Sequence, residues 1–194
     1  MTDEFEQVIL VDEADAALGE GDKWQIHRDG LLHRAFSIFV FNARGECLIQ
    51  QRAAGKYHSA GLWANSCCGH PRPGETTSSA AARRLEEEVG LRVDLTFGFK
   101  SRYVAHLDNN MTENEIPYLY FGWTQDKAVL NPDEVQAVRW RSLERLAEDV
   151  VAAPEAHAAW LKHYLTAHTE DLAAWRDRAL GARISEDSLP WRGT

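Results

Sequence analysis

The stretch Gly69-His-Pro-Arg-Pro-Gly-Glu75-Thr-Thr-Ser-Ser-Ala-Ala-Ala-Arg83-Arg-Leu-Glu-Glu-Glu88-Val-Gly90-Leu91 decides how the rest of this 194-residue chain is read. Its second half predicts a helix over 76–89. Threonines and serines offer N-caps, Ala80, Ala81 and Ala82 are strong helix formers, and Gly90 is a ready C-terminal stop. A glycine-containing loop feeds this helix, which ends in three successive carboxylates, Glu86, Glu87 and Glu88. Hard oxygen ligands that share a Mg²⁺ with substrate phosphates are the usual way to hold that metal. Arg84 and Glu88 stand four apart and project from one face. The plain alternative is a solvated helix face with a weak ion pair.

Outward from the helix, 35–41 is apolar and β-friendly, Asn42-Ala-Arg-Gly45 supplies turn chemistry, and 47–51 completes an expected hairpin. A loop of small residues is expected over 53–73. Strand-like segments recur at 92–97, 102–106, 116–123 and 135–140, and helices are expected over 142–151 and 155–173. The tail 181–194, with Pro190 and Gly193, reads as irregular. The expectation is one α+β domain over 1–194 with a mostly local sheet flanked by helices. Its core spans about 30–150, with the helix 154–173 and the tail 174–194 appended.

Composition narrows the function. Apolar residues at 44% and charged residues at 26% fit a soluble globular chain and argue against disorder. The apolar run 35–41 is too short to cross a bilayer, and the acidic opening Met1-Thr-Asp-Glu-Phe-Glu does not read as a secretory or transit peptide. Lys and Arg total 21 against 30 Asp and Glu, a formal net charge of -9 that excludes bulk attraction to nucleic acid or anionic membrane. Three cysteines, Cys47, Cys67 and Cys68, make a poor disulfide framework, so a reduced cytoplasmic setting is expected.

Further fragments belong with the helix: His27 and His33, Asn65-Ser-Cys-Cys68-Gly-His70, and Glu113-Asn-Glu115. In an extended strand Glu113 and Glu115 share a face, where two carboxylates repel unless a proton or cation intervenes. Three imidazoles with two carboxylates suit Zn²⁺, Mn²⁺ or another first-row ion. Taken singly, each histidine reads as an ordinary surface or core residue, and His58, His106, His157, His163 and His168 stay under that reading.

In register, Gly69, Glu75, Arg83, Leu85, Glu87, Glu88, Gly90 and Leu91 resemble the Nudix box, G-x5-E-x7-R-E-U-x-E-E-x-G-U, with U aliphatic. Arg84 departs from it, standing where the hydrolases of that superfamily carry Glu. With Leu32-His-Arg-Ala-Phe-Ser37, the string 62–71, Glu113-Asn-Glu115 and Asp133-Glu134-Val135, the chain resembles the type 1 isopentenyl-diphosphate isomerases, which are Nudix-fold. The resemblance runs from about residue 8 to about 160. It implies a mixed sheet flanked by helices, with additional N- and C-terminal elements. It also implies interconversion of isopentenyl and dimethylallyl diphosphate for isoprenoid biosynthesis, with a Nudix pyrophosphohydrolase as the alternative.

The same resemblance implies residue roles. His27, His33, His70, Glu113 and Glu115 would hold a divalent ion, Mn²⁺ or Zn²⁺, and Glu88 a Mg²⁺ shared with the diphosphate. Cys68 and Glu115 would be opposed acid/base groups, Tyr103 would assist Glu115, and Trp160 would face the carbocation. Lys23, Arg52, Lys56 and Arg84 would bind the diphosphate, while Cys67, at the variable position of its string, would only pack. The partner is then a small allylic or homoallylic diphosphate, met by a monomer or homodimer. The N-terminal segment and the 154–172 helix are expected to close over the site and keep water from the cation.

Overall fold

The computed structural model describes residues 6–187, with side chains as far as 181. Its centre is β3 (His33–Phe41), flanked in the sheet by β1 (Gln7–Val11), β4 (Cys47–Arg52), β6 (Cys67–Gly69) and β9 (Thr112–Trp123). β1 pairs with β2 (Ala17–Asp22), β4 with β5 (Trp63–Ala64) and β10 (Val135–Arg141), and β9 with β7 (Thr96–Lys100) and β8 (Tyr103–His106). Among the described residues the strands form one ten-stranded sheet. The helices are α1 (Lys23–Asp29), α2 (Thr77–Val89), α3 (Leu143–Ala152), α4 (Ala159–Ala167) and α5 (Thr169–Asp187).

β3 explains the layering. It is buried on both faces, as an internal strand covered on two sides must be. Phe36, Ile38 and Val40 point to one side, where Leu48, Cys67 and Tyr120 meet Ala81, Leu85 and Val89 of α2. Phe39 and Phe41 point to the other, where Ile49, Leu119 and Phe121 meet Leu146, Trp160, Leu161 and Tyr164. Period-2 alternation thus gives each face its own apolar layer.

The helix 76–89 begins one residue later, with Thr76 as N-cap accepting the Ser79 amide at 3.1 Å, a cap that contributes about 1 kcal/mol. Gly90 stops it at φ 67°, where an added Cβ would lie 2.8 Å from the Val129 carbonyl oxygen.

Several expectations need correction. The sheet is not mostly local: β3 and β9 pair in parallel over nine positions, from His33↔Glu115 to Phe41↔Trp123. The expected hairpin closes only at Phe41↔Cys47, because β6 takes the place beside β3 and β4 turns to β10. The loop 53–73 contains β5 and β6. The helix 155–173 is broken into a 3₁₀ turn at Pro154–Ala156, α4 and α5. α5 extends through what reads as tail, to Asp187; Pro190 and Gly193 lie outside the described residues. The N-terminal β1, β2 and α1 give no periodic signal, since β2 is Gly-rich and exposed.

Candidate active site

Strand register assembles the site before any side chain is considered. Parallel pairing sets Glu115 beside His33, and antiparallel pairing of β8 sets Tyr103 opposite Glu115 from the other side. Glu113, two residues before Glu115, shares its face. β6 sets Cys68 opposite Ser37 and delivers His70 one residue past its end. α1, capped by Asp22 and stopped at Gly30 with φ 65°, brings His27 to the same place.

The histidines and acids form a buried cluster. One potential ligand atom from each of His27, His33, His70, Glu113 and Glu115 lies within 4.8 Å of every other. Nδ1 of His27 meets the Lys23 carbonyl at 2.7 Å and Nδ1 of His33 the Leu31 carbonyl at 2.8 Å. Nδ1 is therefore the proton-bearing nitrogen of each neutral ring, and the Nε2 lone pair is turned inward. Inside, His27 Nε2, His33 Nε2 and Glu113 Oε2 are buried with no hydrogen-bond partner. Such orphaned atoms are costly unless something binds them. Nitrogen and carboxylate donors converging in this way fit a divalent first-row cation.

The charges follow. Burial alone would lower the His27 pKa, but Glu113 and Glu115 outweigh it and the net shift is upward, so a proton there can stand in for a cation. His70 is driven well down by burial and by neighbouring His33 and His27. Burial works against the Glu115 carboxylate, yet His33 and Tyr103 hold its pKa below the ordinary value. Tyr103 donates its hydroxyl to Glu115 Oε2 at 2.7 Å, and its own pKa is raised by burial and both acids.

A cleft opens above the cluster. Lys23, Arg52, Lys56, Arg84, Cys68, His70, Glu88, Tyr103, Glu113, Glu115 and Trp160 all line it, with Glu6 and Tyr57 at its walls. His27 and His33, both fully buried, lie among the cluster's other ligands rather than on the cleft wall. Of the three consecutive helix carboxylates only Glu88 faces the cleft. Arg84 Nη2 meets its Oε1 at 2.5 Å and Gln50 Nε2 its Oε2 at 2.8 Å. Arg84 also reaches Glu134 at 3.1 Å, and Lys56 reaches the same carboxylate at 2.8 Å. Glu134 thus bridges two of the expected diphosphate-binding cations, and Glu6 pairs with a third, Lys23, at 2.9 Å. Elsewhere in the motif, Glu75 and Arg83 form a bidentate pair, both contacts at 2.8 Å, that pins the loop to α2.

Cys68 is a neutral thiol, its pKa pushed up to about 12 by burial. Cys67 points away into the apolar layer against α2. Trp160 is 3% exposed, with Arg52 5.3 Å from its ring. His58 belongs here too, against the reading of it as an ordinary residue. Its Nε2 lies 3.3 Å from Glu113 Oε1, and its ring stacks on His27 and meets Trp160 edge-on. Its loop is clamped from afar, Ser59 N donating to Asp108 Oδ1 at 3.0 Å and Asn109 Nδ2 to the Tyr57 carbonyl at 2.9 Å. No local pattern could have placed a loop histidine against a strand 55 residues away.

Residues 31–165 match the family model of the NUDIX domain. The chain is 46% identical over 156 residues to the isopentenyl-diphosphate Delta-isomerase of Pectobacterium atrosepticum, covering 80% of this chain and 87% of that one. To isopentenyl-diphosphate Delta-isomerase 1 of Aromatoleum aromaticum it is 47% identical over 157 residues, covering 81% and 89%. Among solved structures, a Deinococcus radiodurans protein has a TM-score of 0.70 at 20% identity, over 83% of this chain and 98% of that chain, a likeness of fold. No described helix is long and apolar enough to cross a membrane.

Proposed function

The chain belongs to the isopentenyl-diphosphate Delta-isomerase family of NUDIX-fold proteins, and from that premise we propose that it interconverts isopentenyl and dimethylallyl diphosphate through a tertiary carbocation. The observation that carries this reading is that a half-buried thiol, Cys68, and a buried carboxylate, Glu115, line the same cleft. An allylic 1,3 shift needs one proton added and a different one removed, hence two acid/base groups within reach of one alkene. Protonation of the terminal alkene carbon makes a tertiary cation, and loss of a proton from C2 moves the double bond.

His27, His33, His70, Glu113 and Glu115 would hold a divalent ion, Mn²⁺ or Zn²⁺. When bound it supplies the positive charge that lets two carboxylates share the pocket and acidifies what it touches. Tyr103 holds Glu115 Oε2 in a fixed direction. Trp160 offers an indole face to the cation, an interaction of about 2 kcal/mol when desolvated, without a nucleophile to trap it. Lys23, Arg52, Lys56 and Arg84 would take the diphosphate, and Glu88 the Mg²⁺ that travels with it. In exchange the substrate would release Lys56 and Arg84 from Glu134, and Lys23 from Glu6. Glu6 from the N-terminal segment and Trp160 from α4 already form walls of the cleft, which suits a site that must exclude water.

The test is incubation with isopentenyl diphosphate and Mg²⁺ in D₂O, followed by NMR. Deuterated dimethylallyl diphosphate without phosphate release supports the isomerase. Released phosphate instead means a pyrophosphohydrolase, and no reaction refutes the isomerase.

A further inference from the structure

Asn65 and Tyr164 are both fully buried at the site, and neither has a role in the chemistry above. Asn65 Nδ2 donates to the Ile38 carbonyl at 3.0 Å and the Cys67 carbonyl at 3.1 Å, which fixes the amide's orientation. Its oxygen, Oδ1, therefore faces Cys68 Sγ at 3.1 Å and can only accept. The thiol must donate there, so the sulfur is left to accept from Ser37 Oγ, 3.7 Å away. A serine has one hydroxyl proton. Once it points at sulfur, the contact of 2.9 Å between Ser37 Oγ and Tyr164 Oη must be a donation from the tyrosine. One end of the chain thus dictates the direction of every link: Tyr164 O–H to Ser37 O–H to Cys68 S–H to Asn65 Oδ1.

We propose that Tyr164, acting through Ser37, is a positioning residue for the proton chemistry of Cys68, an inference that rests on the isomerase reading above. In one direction the sulfur gives its proton to an alkene carbon and keeps the bonding pair. In the other, a thiolate takes a proton from the carbon beside the cationic centre, and the freed C–H pair becomes the new π bond. In both, negative charge sits on sulfur at one end of the step, where the Ser37 hydroxyl meets it. Tyr164 holds that hydroxyl in the donating orientation and polarises it, and no proton leaves either residue. A donor fixed in advance at the atom where charge develops lowers the barrier without improving substrate binding. Chains of hydrogen bonds reinforce one another in such dry surroundings. The placement follows from register: Ser37 and Cys68 are directly opposed in β3 and β6, and α4 lays Tyr164 over them.

Tyr164→Phe removes one oxygen and keeps the ring. Initial rates with isopentenyl diphosphate and Mg²⁺ should show kcat down about tenfold with KM within twofold. Ser37→Ala should lose at least as much, and the double variant should be no slower than Ser37→Ala, because the tyrosine acts only through the serine. Unchanged kcat in Tyr164→Phe, a loss confined to KM, or multiplied losses in the double variant would each overturn the proposal. If Tyr164→Phe lacks a cooperative thermal transition, Ser37→Ala decides alone: it must lower kcat at unchanged KM. Absence of isomerisation by the parent protein would instead refute the function on which the inference rests.

Discussion

Chelation should unlock the protein's stability, and more so as pH rises. The cluster of His27, His33, His70, Glu113 and Glu115 is buried and contains three inward atoms with no hydrogen-bond partner. Without a cation, what holds Glu113 and Glu115 together is a proton on His27, whose pKa is raised because both acids outweigh its burial. A raised folded pKa means that this contribution is full below the unfolded value of about 6.5 and is lost as pH climbs through the folded value. Glu115 works oppositely: its depressed pKa gives stability above the unfolded value that vanishes as pH falls through the folded one. Burial drives His70 and His58 well below the ordinary imidazole value, so both cost stability below about 6.5, and metal-free protein should be most stable at about pH 6.5 rather than further into acid. A bound divalent ion replaces the proton and removes the loss at high pH. At a hundred times Kd, ligand binding adds about 2.7 kcal/mol. For a domain of this size, 1 kcal/mol moves Tm by roughly 2–4 °C, so the gain is about 5–11 °C. Thermal melts at pH 6 and pH 8, after chelation and with Mn²⁺ restored, measure it. Equal Tm with and without Mn²⁺ at pH 8, or a larger gain at pH 6 than at pH 8, would refute the reasoning.

Four further outcomes follow from particular residues. Cys68→Ala and Glu115→Gln should each lower kcat by about a hundred- to ten-thousandfold while circular dichroism stays native, since each removes one of the two proposed acid/base groups. Cys67→Ala should keep its activity and lose about 1 kcal/mol from the layer against α2, read as a Tm lower by roughly 2–4 °C; inactivity would mean the neighbouring thiols are assigned the wrong way round. Burial pushes the Cys68 thiol up to about 12, so its alkylation by iodoacetamide should go on accelerating beyond pH 9, and a plateau near pH 7 would contradict the neutral thiol. Gly90→Ala must adopt φ 67° with its Cβ 2.8 Å from the Val129 carbonyl oxygen, and should cost more than about 2 kcal/mol in urea unfolding.

What could be read from the sequence was whatever short-range chemistry dictates. The helix at 77–89 follows from its cap, its alanines and its glycine stop, and the shared face of Glu113 and Glu115 from strand alternation alone. The gathering of His27, His33, His70 and the two acids came from motif resemblance, because no local pattern says which strands will be neighbours. That is also why the expected hairpin is wrong: Asn42-Ala-Arg-Gly45 does make the turn, but only Phe41↔Cys47 pairs, as β6 and β9 outcompete β4 for the edges of β3. His58 went unread for the same reason. Its loop has no periodicity, and its place depends on Asp108 and Asn109, some 50 residues on.

The register between β3 and β9 ties core and chemistry together. His33, Ser37, Phe39 and Phe41 share one face of β3, so the residues that begin the site and those that fill the layer under α4 are successive positions of one alternation. A slip of one residue would carry Glu115 and Glu113 to the opposite face, away from His33, and would also drive Leu119 and Phe121 out of their layer. The opposite face already carries its own close-packed layer, with Tyr120 against α2, so forcing Leu119 and Phe121 into it costs about 1–3 kcal/mol in overpacking, which falls on any arrangement that breaks up the polar cluster. The apolar half of the strand pair thus holds two repelling carboxylates together, with the imidazoles of His27, His33 and His70 within 3.4 Å of them. Truncating Phe121, far from any reacting atom, should loosen the cation site as well as the core.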